Sequence, residues 1–394
     1  MNGELLVTNP AKMRNLFLAA GIAAFVALGI GATSDHGRHQ FYHSYLVAFI
    51  YWFHFGLGAL AFLMIQYLTG GAWGLMGRRV FEAASRTLPL LVVLFLPIVV
   101  GMHSLYEWSH AEVVAKDPVL QQKVAYLNPN GFLIRTAIYF ALWVLVGFLL
   151  ARWSAKQDRA LEPGAMSQRC ATLSGPGLVI YGLSATFASV DWLMSLEPHW
   201  YSTIYGALFV VGELCGALAF TIVVLVWLGK GPLSSVLGKR HYHDFGKLLL
   251  AFVMLWAYIS FSQFLIIWSG NLAEEVTFYV KRLEGAWQYV ALALIIAHFA
   301  LPFLLLLSRD LKRNPSTLVL VALLVLGMRY VDLFYLIRPA SPHREFAGFS
   351  WMDLAAFVAV GGIWCAAFLF NLSKRSLLPV NDLRLKEAIE HGKH

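Results

Sequence analysis

Residues 191–206 read DWLMSLEPHWYSTIYG, a polar and aromatic stretch set between two long apolar runs, 178–190 and 207–227. The second run is broken by one acid, Glu213. A helix needs about 20 apolar residues to cross a bilayer core, so the stretch reads as a turn at a membrane surface between two spanning helices. Pro198 has no backbone donor and biases Glu197 away from helix, which places the turn there. Trp192, Trp200, Tyr201 and Tyr205 are the amphipathic rings expected at headgroup level. Asp191, Glu197 and His199 add three titratable groups within nine residues. The stretch is either an aromatic-anchored hairpin or a functional surface.

The rest of the chain has the same character. Of 394 residues, 59% are hydrophobic and only 13% are charged, about half the charged share of a soluble protein. Mean hydropathy is +0.65. Long apolar blocks in place of short alternating strands exclude a barrel, and the fold class is an all-α integral membrane protein. The first apolar run lacks a small-residue cleavage site behind a short apolar region, so it reads as a helix and not as a secretory signal.

Ten spans are expected, at 14–32, 44–68, 86–106, 132–152, 173–193, 200–228, 245–269, 284–307, 316–337 and 350–372. The polar tail from Ser373 is expected on the membrane surface or on a partner. An even number of spans puts both termini on one face, here called the terminal face. That face carries 21 of the 30 Lys and Arg, the far face eight, and Arg329 lies within a span. The positive-inside rule then makes the terminal face cytoplasmic. The same asymmetry accounts for the net charge of +8 without nucleic acid.

An internal repeat is legible. Gly58-Ala-Leu-Ala-Phe62 in the second span matches Gly216-Ala-Leu-Ala-Phe220 in the sixth, and Gly77-Arg78-Arg79 with Arg86 matches Gly238-Lys239-Arg240 with Lys247. Both copies run in the same direction, which makes the repeat parallel. The expected organisation is an N-terminal segment with the first helix (1–40) and a first four-helix bundle (41–195, helices 2–5). A second bundle (196–340, helices 6–9), a tenth helix (341–372) and a cytoplasmic tail (373–394) follow.

Charges inside the bilayer are costly and need a reason. Glu213 falls near mid-membrane, about 20 Å along a helix that starts at Trp200. His54 and His298 are also deep. Arg329 and Asp332, three residues apart, share a helix face and can pair. His103 and Glu107 stand on one face near the far end of the third span. Each admits a plain structural reading: a buried ion pair, a hydrogen-bonded core histidine, an anchored loop. Glu213 has no cation near it in sequence, which suits it to passing protons. The three cysteines, Cys170, Cys215 and Cys365, have neither the number nor the spacing for an iron–sulfur cluster or covalent haem. His54 and His298 are the only pair that approaches b-haem ligation, without the paired histidines of a di-haem cytochrome. No metal site is expected. Gly56-Leu57-Gly58 and residues 212–216 are the weak helix-break signals that a secondary transporter would need.

The stretch DWLMSLEPHWYSTIYG, the Gly212-Glu213 pair after it, and the block HDFGKLLLAFVMLWAYISFSQFLIIWSGNLAEE (243–275) closely resemble the ActF-type membrane subunits of bacterial alternative complex III. These belong to the NrfD-like, polysulfide-reductase-C-like family. The resemblance runs from about the second to the tenth span. It implies two four-helix bundles with two flanking helices, in the bacterial inner membrane. It also implies a place in a respiratory quinol:cytochrome c oxidoreductase. The implied partners are a sister NrfD-like subunit (ActC), an iron–sulfur subunit, c-type cytochrome subunits and small membrane subunits. Haem c and iron–sulfur centres would sit in those partners and none in this chain, which would be a subunit of the oxidoreductase without a redox centre of its own. His103 looks like the histidine that flanks a quinol headgroup in the sister subunit. Where the resemblance calls for an acid early in the fourth helix, this chain has Arg135-Thr136, a departure that argues against quinol oxidation here. The leading expectation is a structural, proton-conducting subunit, with Asp191, Glu213, His298, Arg329 and Asp332 as path candidates. A chain that itself binds quinol or menaquinol at His103 and Glu107 is the runner-up. An independent transporter is the third reading.

Overall fold

Ten helices long and apolar enough to cross a membrane emerge from the sequence: α1 Pro10–Gly31, α2 Asp35–Thr69, α3 Ala72–Val100, α4 Pro129–Gln157, α5 Pro163–Leu196, α6 Tyr205–Gly229, α7 Lys239–Gly270, α8 Trp287–Leu307, α9 Pro315–Ala340 and α10 Trp351–Leu372. The computed structural model describes residues 6–7, 10–341 and 348–393; 83% of it is helical, with no strand among the described residues. The protein is an all-α membrane protein.

Several helices outrun their apolar cores. Helix α2 begins at Asp35, nine residues before the apolar run, because Ser34 caps it by accepting from the Gly37 N–H at 3.0 Å. Helix α3 begins at Ala72, so Gly77-Arg78-Arg79 is helix and not loop. Its counterpart Gly238 is the N-cap of α7; the second pair of repeat blocks thus differs in local structure. Helix α3 is also segmented, into Ala72–Ser85, Leu88–Leu94 and Leu96–Val100. Pro89 and Pro97 sit in the first turns of the later segments, where a missing backbone donor costs least. In α8, residues Leu294–Ala300 form a π turn. Pro302 follows, and its ring would crowd the carbonyl of His298 in a regular helix, so widening the turn relieves the clash.

Helix α2 is the central column, almost wholly buried, packed on α3, α5, α6 and α10. Around it, α2–α3, α3–α4, α4–α5 and α2–α5 contacts close one four-helix group. The pairs α6–α7, α7–α8, α8–α9 and α6–α9 close a second. The groups meet along α2 and α6 where the two Gly-Ala-Leu-Ala-Phe blocks face each other: a Cβ on Gly58 would lie 2.7 Å from that of Ala217. Small residues there let the backbones approach. Helix α1 packs chiefly on α10, and the crossing is as close: a Cβ on Gly362 would lie 2.5 Å from the Phe17 carbonyl oxygen and 2.7 Å from the Gly21 backbone.

The polar tail packs on the chain's own helices. Leu377 and Leu378 are buried, and its helix Leu385–Lys393 packs on the first segment of α3 and on α7, covering the terminal ends of both groups. On the far face, Trp192, Trp200 and Tyr205 are buried and only Tyr201 is exposed. Trp192 packs among Phe95, Phe140 and Trp143 of the first group, while residues 107–127 and the helix Ala273–Leu283 cover the turn that follows it. Trp108 Nε1 donates to the Ser195 carbonyl at 3.1 Å, and the Trp200 ring stacks on Phe278 at 4.2 Å.

Candidate functional site

The titratable groups inside the membrane gather around one guanidinium. On α9, Arg329 and Asp332 pair as their spacing predicts: Arg329 Nη1 donates to Asp332 Oδ2. From α7, Trp256 Nε1 donates to the same oxygen at 3.2 Å. The guanidinium lies flat against α6 at Gly212, where any Cβ would collide with it. Its charge acts on Tyr51 and His54 of α2, on Glu213 and Cys215 of α6, and on His298 of α8. Four candidates from three helices (Glu213, His298 and the pair Arg329 and Asp332) are thus brought together, with His54 beside them. All five are at most 3% exposed.

Glu213 begins one place on from Gly212, and α6 starts at Tyr205, not Trp200. Its depth is therefore about 12 Å from the far-face end of the helix, not about 20 Å. It sits in the far-face half of the span, at the level of Arg329. Tyr181 of α5 donates to Glu213 Oε1 at 2.9 Å. Glu213 Oε2, His54 Nε2, Arg329 Nε and both ring nitrogens of His298 are buried without a hydrogen-bond partner among the described residues. Buried polar atoms left unpaired are rare and mark ordered water or a working group. The His298 ring meets Trp256 edge-on at 4.2 Å, and the His54 ring meets Phe209 at 4.7 Å. His298 lies on the π turn of α8, a feature that recurs at functional sites. Arg329 and Asp332 balance each other in charge, while Glu213, His54 and His298 remain as groups able to exchange a proton. Tyr181 and Trp256 are missed by sequence reasoning because each is one aromatic residue in an apolar run.

Asp191 is held elsewhere. Arg135 clasps it through Nε at 3.0 Å and Nη2 at 2.9 Å, and Tyr139 donates to it at 2.8 Å. Arg135 is the counter-ion of Asp191, and its guanidinium lies 3.9 Å over the Tyr126 ring. No described hydrogen bond or ion pair links Asp191 to the Glu213 group. The other acid of the opening stretch, Glu197, is latched by Lys281 at 3.0 Å and Arg282 at 2.7 Å. His199 pairs with Asp117 at 2.6 Å, and this hydrogen bond holds the Asp117 carboxyl below the usual carboxylate range.

His103 and Glu107 do not share a helix face. The helix ends at Leu105, Tyr106 is extended, and Glu107 opens a separate turn. Tyr106 is drawn out of the helix by donating its hydroxyl to the Trp192 carbonyl at 2.9 Å. The exposed His103 ring instead contacts Ser109 Oγ at 3.0 Å and the His110 ring at 5.1 Å. The two side chains do not converge on a single headgroup. A far-face cavity of about 370 Å³ lies nearby, between Lys123, Tyr126, Met194, Trp200 and Tyr201, and neither residue lines it.

A second buried charge network went unread in the sequence. At the terminal end of the first group, Arg78 donates to Glu82 at 3.1 Å, to Asp382 of the tail at 2.9 Å and to Gln157 at 2.6 Å. Arg79 pairs with the other oxygen of Glu82 at 2.7 Å. Arg78 is fully buried. Asp382 is 304 residues away from it, which no local pattern reveals. Among the described residues no group of three or more His, Cys, Asp or Glu is placed to hold a metal ion. The chain matches no protein-family model and no curated protein.

Proposed function

We propose that this chain is a structural and proton-conducting membrane subunit of a respiratory quinol:cytochrome c oxidoreductase of the alternative complex III type. In this reading it sits in the bacterial cytoplasmic membrane with both termini in the cytoplasm. The redox centres belong to its partners: a sister NrfD-like subunit, an iron–sulfur subunit and c-type cytochromes. The two resembling sequence blocks support the assignment to that complex. The observation that carries the proton role is Glu213, fully buried, with one oxygen bound by Tyr181 and the other unpartnered beside the Arg329 charge.

Tyr181 fixes the orientation of the carboxyl, which leaves Oε2 as the atom that takes up and releases a proton. Arg329 is held by Asp332 and by the surface at Gly212, so its charge is stationary. A fixed cation sets the local potential without itself titrating. His298 extends the path to α8, and Asp332 holds the Arg329 charge in place. Asp191, with Arg135 and Tyr139, stands on the far-face side.

Glu213→Gln tests the reading, since it keeps the shape and hydrogen-bonding capacity of a neutral acid but removes the exchangeable carboxyl proton. The complex should assemble, and electron transfer from quinol to cytochrome c should persist in uncoupled vesicles. The number of protons translocated per electron should fall. An unchanged ratio removes Glu213 from any path.

A further inference from the structure

We propose that Arg86 and Arg375 form a binding site for the phosphate of an anionic phospholipid in the terminal-face leaflet. Arg86 stands where the apolar part of α3 begins. Its backbone stays in the right-handed helical region. Its half-buried side chain makes no hydrogen bond or ion pair with a described residue, although the like charge of Arg375 and the acid Glu82 act on it. Glu82 has little left to offer. Its Oε1 is taken by Arg78 and by Ser154 at 2.6 Å, and its Oε2 by Arg79. Arg375 donates Nη2 to the Ala151 carbonyl at 3.1 Å, but its Nη1 is buried without a hydrogen-bond partner and only approaches Glu82 at 3.6 Å. Arg86 therefore has free donors, and Arg375 and Arg86 share the charge of one already engaged carboxylate, so a further anion at Arg86 would offset their repulsion.

The surroundings select a lipid as the source of that anion. Pro89, Val93, Leu96 and Val100 follow Arg86 at intervals of three and four residues, and all are exposed. They form an apolar stripe down α3 suited to an acyl chain, with the cation at its head. Lys374 lies beside Arg375 with its ammonium 3.8 Å over the Phe370 ring, and Arg14 lies 5.9 Å from the same ring. Basic pockets between spanning helices are recognised by anionic headgroups in this way. The site belongs to α3 and the root of the tail, whatever complex the chain serves.

The test is native mass spectrometry of the full chain released from nanodiscs of equal parts phosphatidylglycerol and phosphatidylethanolamine, alongside thermal unfolding. Arg86→Gln is the informative variant because Arg86 has no described protein partner to lose. The wild type should retain phosphatidylglycerol over phosphatidylethanolamine by at least about tenfold and unfold at higher temperature in its presence. Arg86→Gln should lose both effects while staying folded. Inorganic phosphate should neither form an adduct nor displace the lipid. Equal retention of the two lipids, retention unchanged in Arg86→Gln, or displacement by inorganic phosphate would each overturn the proposal.

Discussion

Asp332→Asn is the perturbation with the largest expected consequence. Asp332 is the only described carboxylate paired with Arg329, and both are 3% exposed. Removing the acid leaves a guanidinium that cannot shed its proton and cannot leave, because Gly212 walls it on one side. Stranding a buried charge in this way costs about 3–5 kcal/mol. The reverse change, Arg329→Gln, strands a carboxylate, which can neutralise itself by taking up a proton and keeps its bond from Trp256. That variant should lose less. The double variant carries no stranded charge, so its loss should fall short of the sum of the singles by at least about 2 kcal/mol. The assay is equilibrium unfolding of the full chain in mixed micelles, read by tryptophan fluorescence and completed as a double-mutant cycle. If the three losses simply add, or if Arg329→Gln proves the worse single variant, the buried pair is not what holds α9 against α6 and the reasoning fails. If both singles unfold like the wild type and only proton translocation changes, the pair acts in the path and not in stability.

Three further outcomes are expected. A reporter fused after Gly231 should read cytoplasm and one inserted near Gly131 periplasm; reversed signals would invert the orientation taken from the distribution of cations. His103→Ala should leave quinol oxidation by an assembled complex largely intact, since His103 and Glu107 do not converge. A drop beyond about tenfold, some 1.4 kcal/mol in barrier, would instead support quinol binding by this chain. The Asp117 carboxyl is depressed by His199, so its contribution is present above the ordinary carboxylate range and lost as pH falls through the depressed value. The amide protection factors of residues 111–123, each taken against the intrinsic exchange rate at the same pH, should therefore be lower below about pH 4 than at neutrality. Asp117→Asn should abolish that dependence, and identical pH profiles for the two proteins would refute the linkage.

Burial in lipid is a demand on consecutive residues, which is why the ten apolar helices and their order along the chain follow from local apolar runs. Local spacing also sufficed for Arg329 and Asp332, since i and i+3 share a helix face. The blocks at Gly58 and Gly216, legible in the sequence as a repeat, lie where α2 and α6 approach. Local patterns fail where partners come from different helices. Nothing near Glu213 in the chain points to Tyr181, and nothing near Arg78 points to Asp382. Nothing near Arg135 in the chain points to Asp191, 56 residues away. Helix ends were misread for a related reason: hydropathy follows the bilayer, whereas Ser34 at α2 and the Tyr106–Trp192 bond beyond α3 act outside it. The sequence by itself therefore determined which segments enter the membrane, because that depends on the solvent each residue must match. Tertiary structure alone decided which buried charges meet, because a charge withdrawn from water is settled by whatever side chain packing brings within a few ångströms.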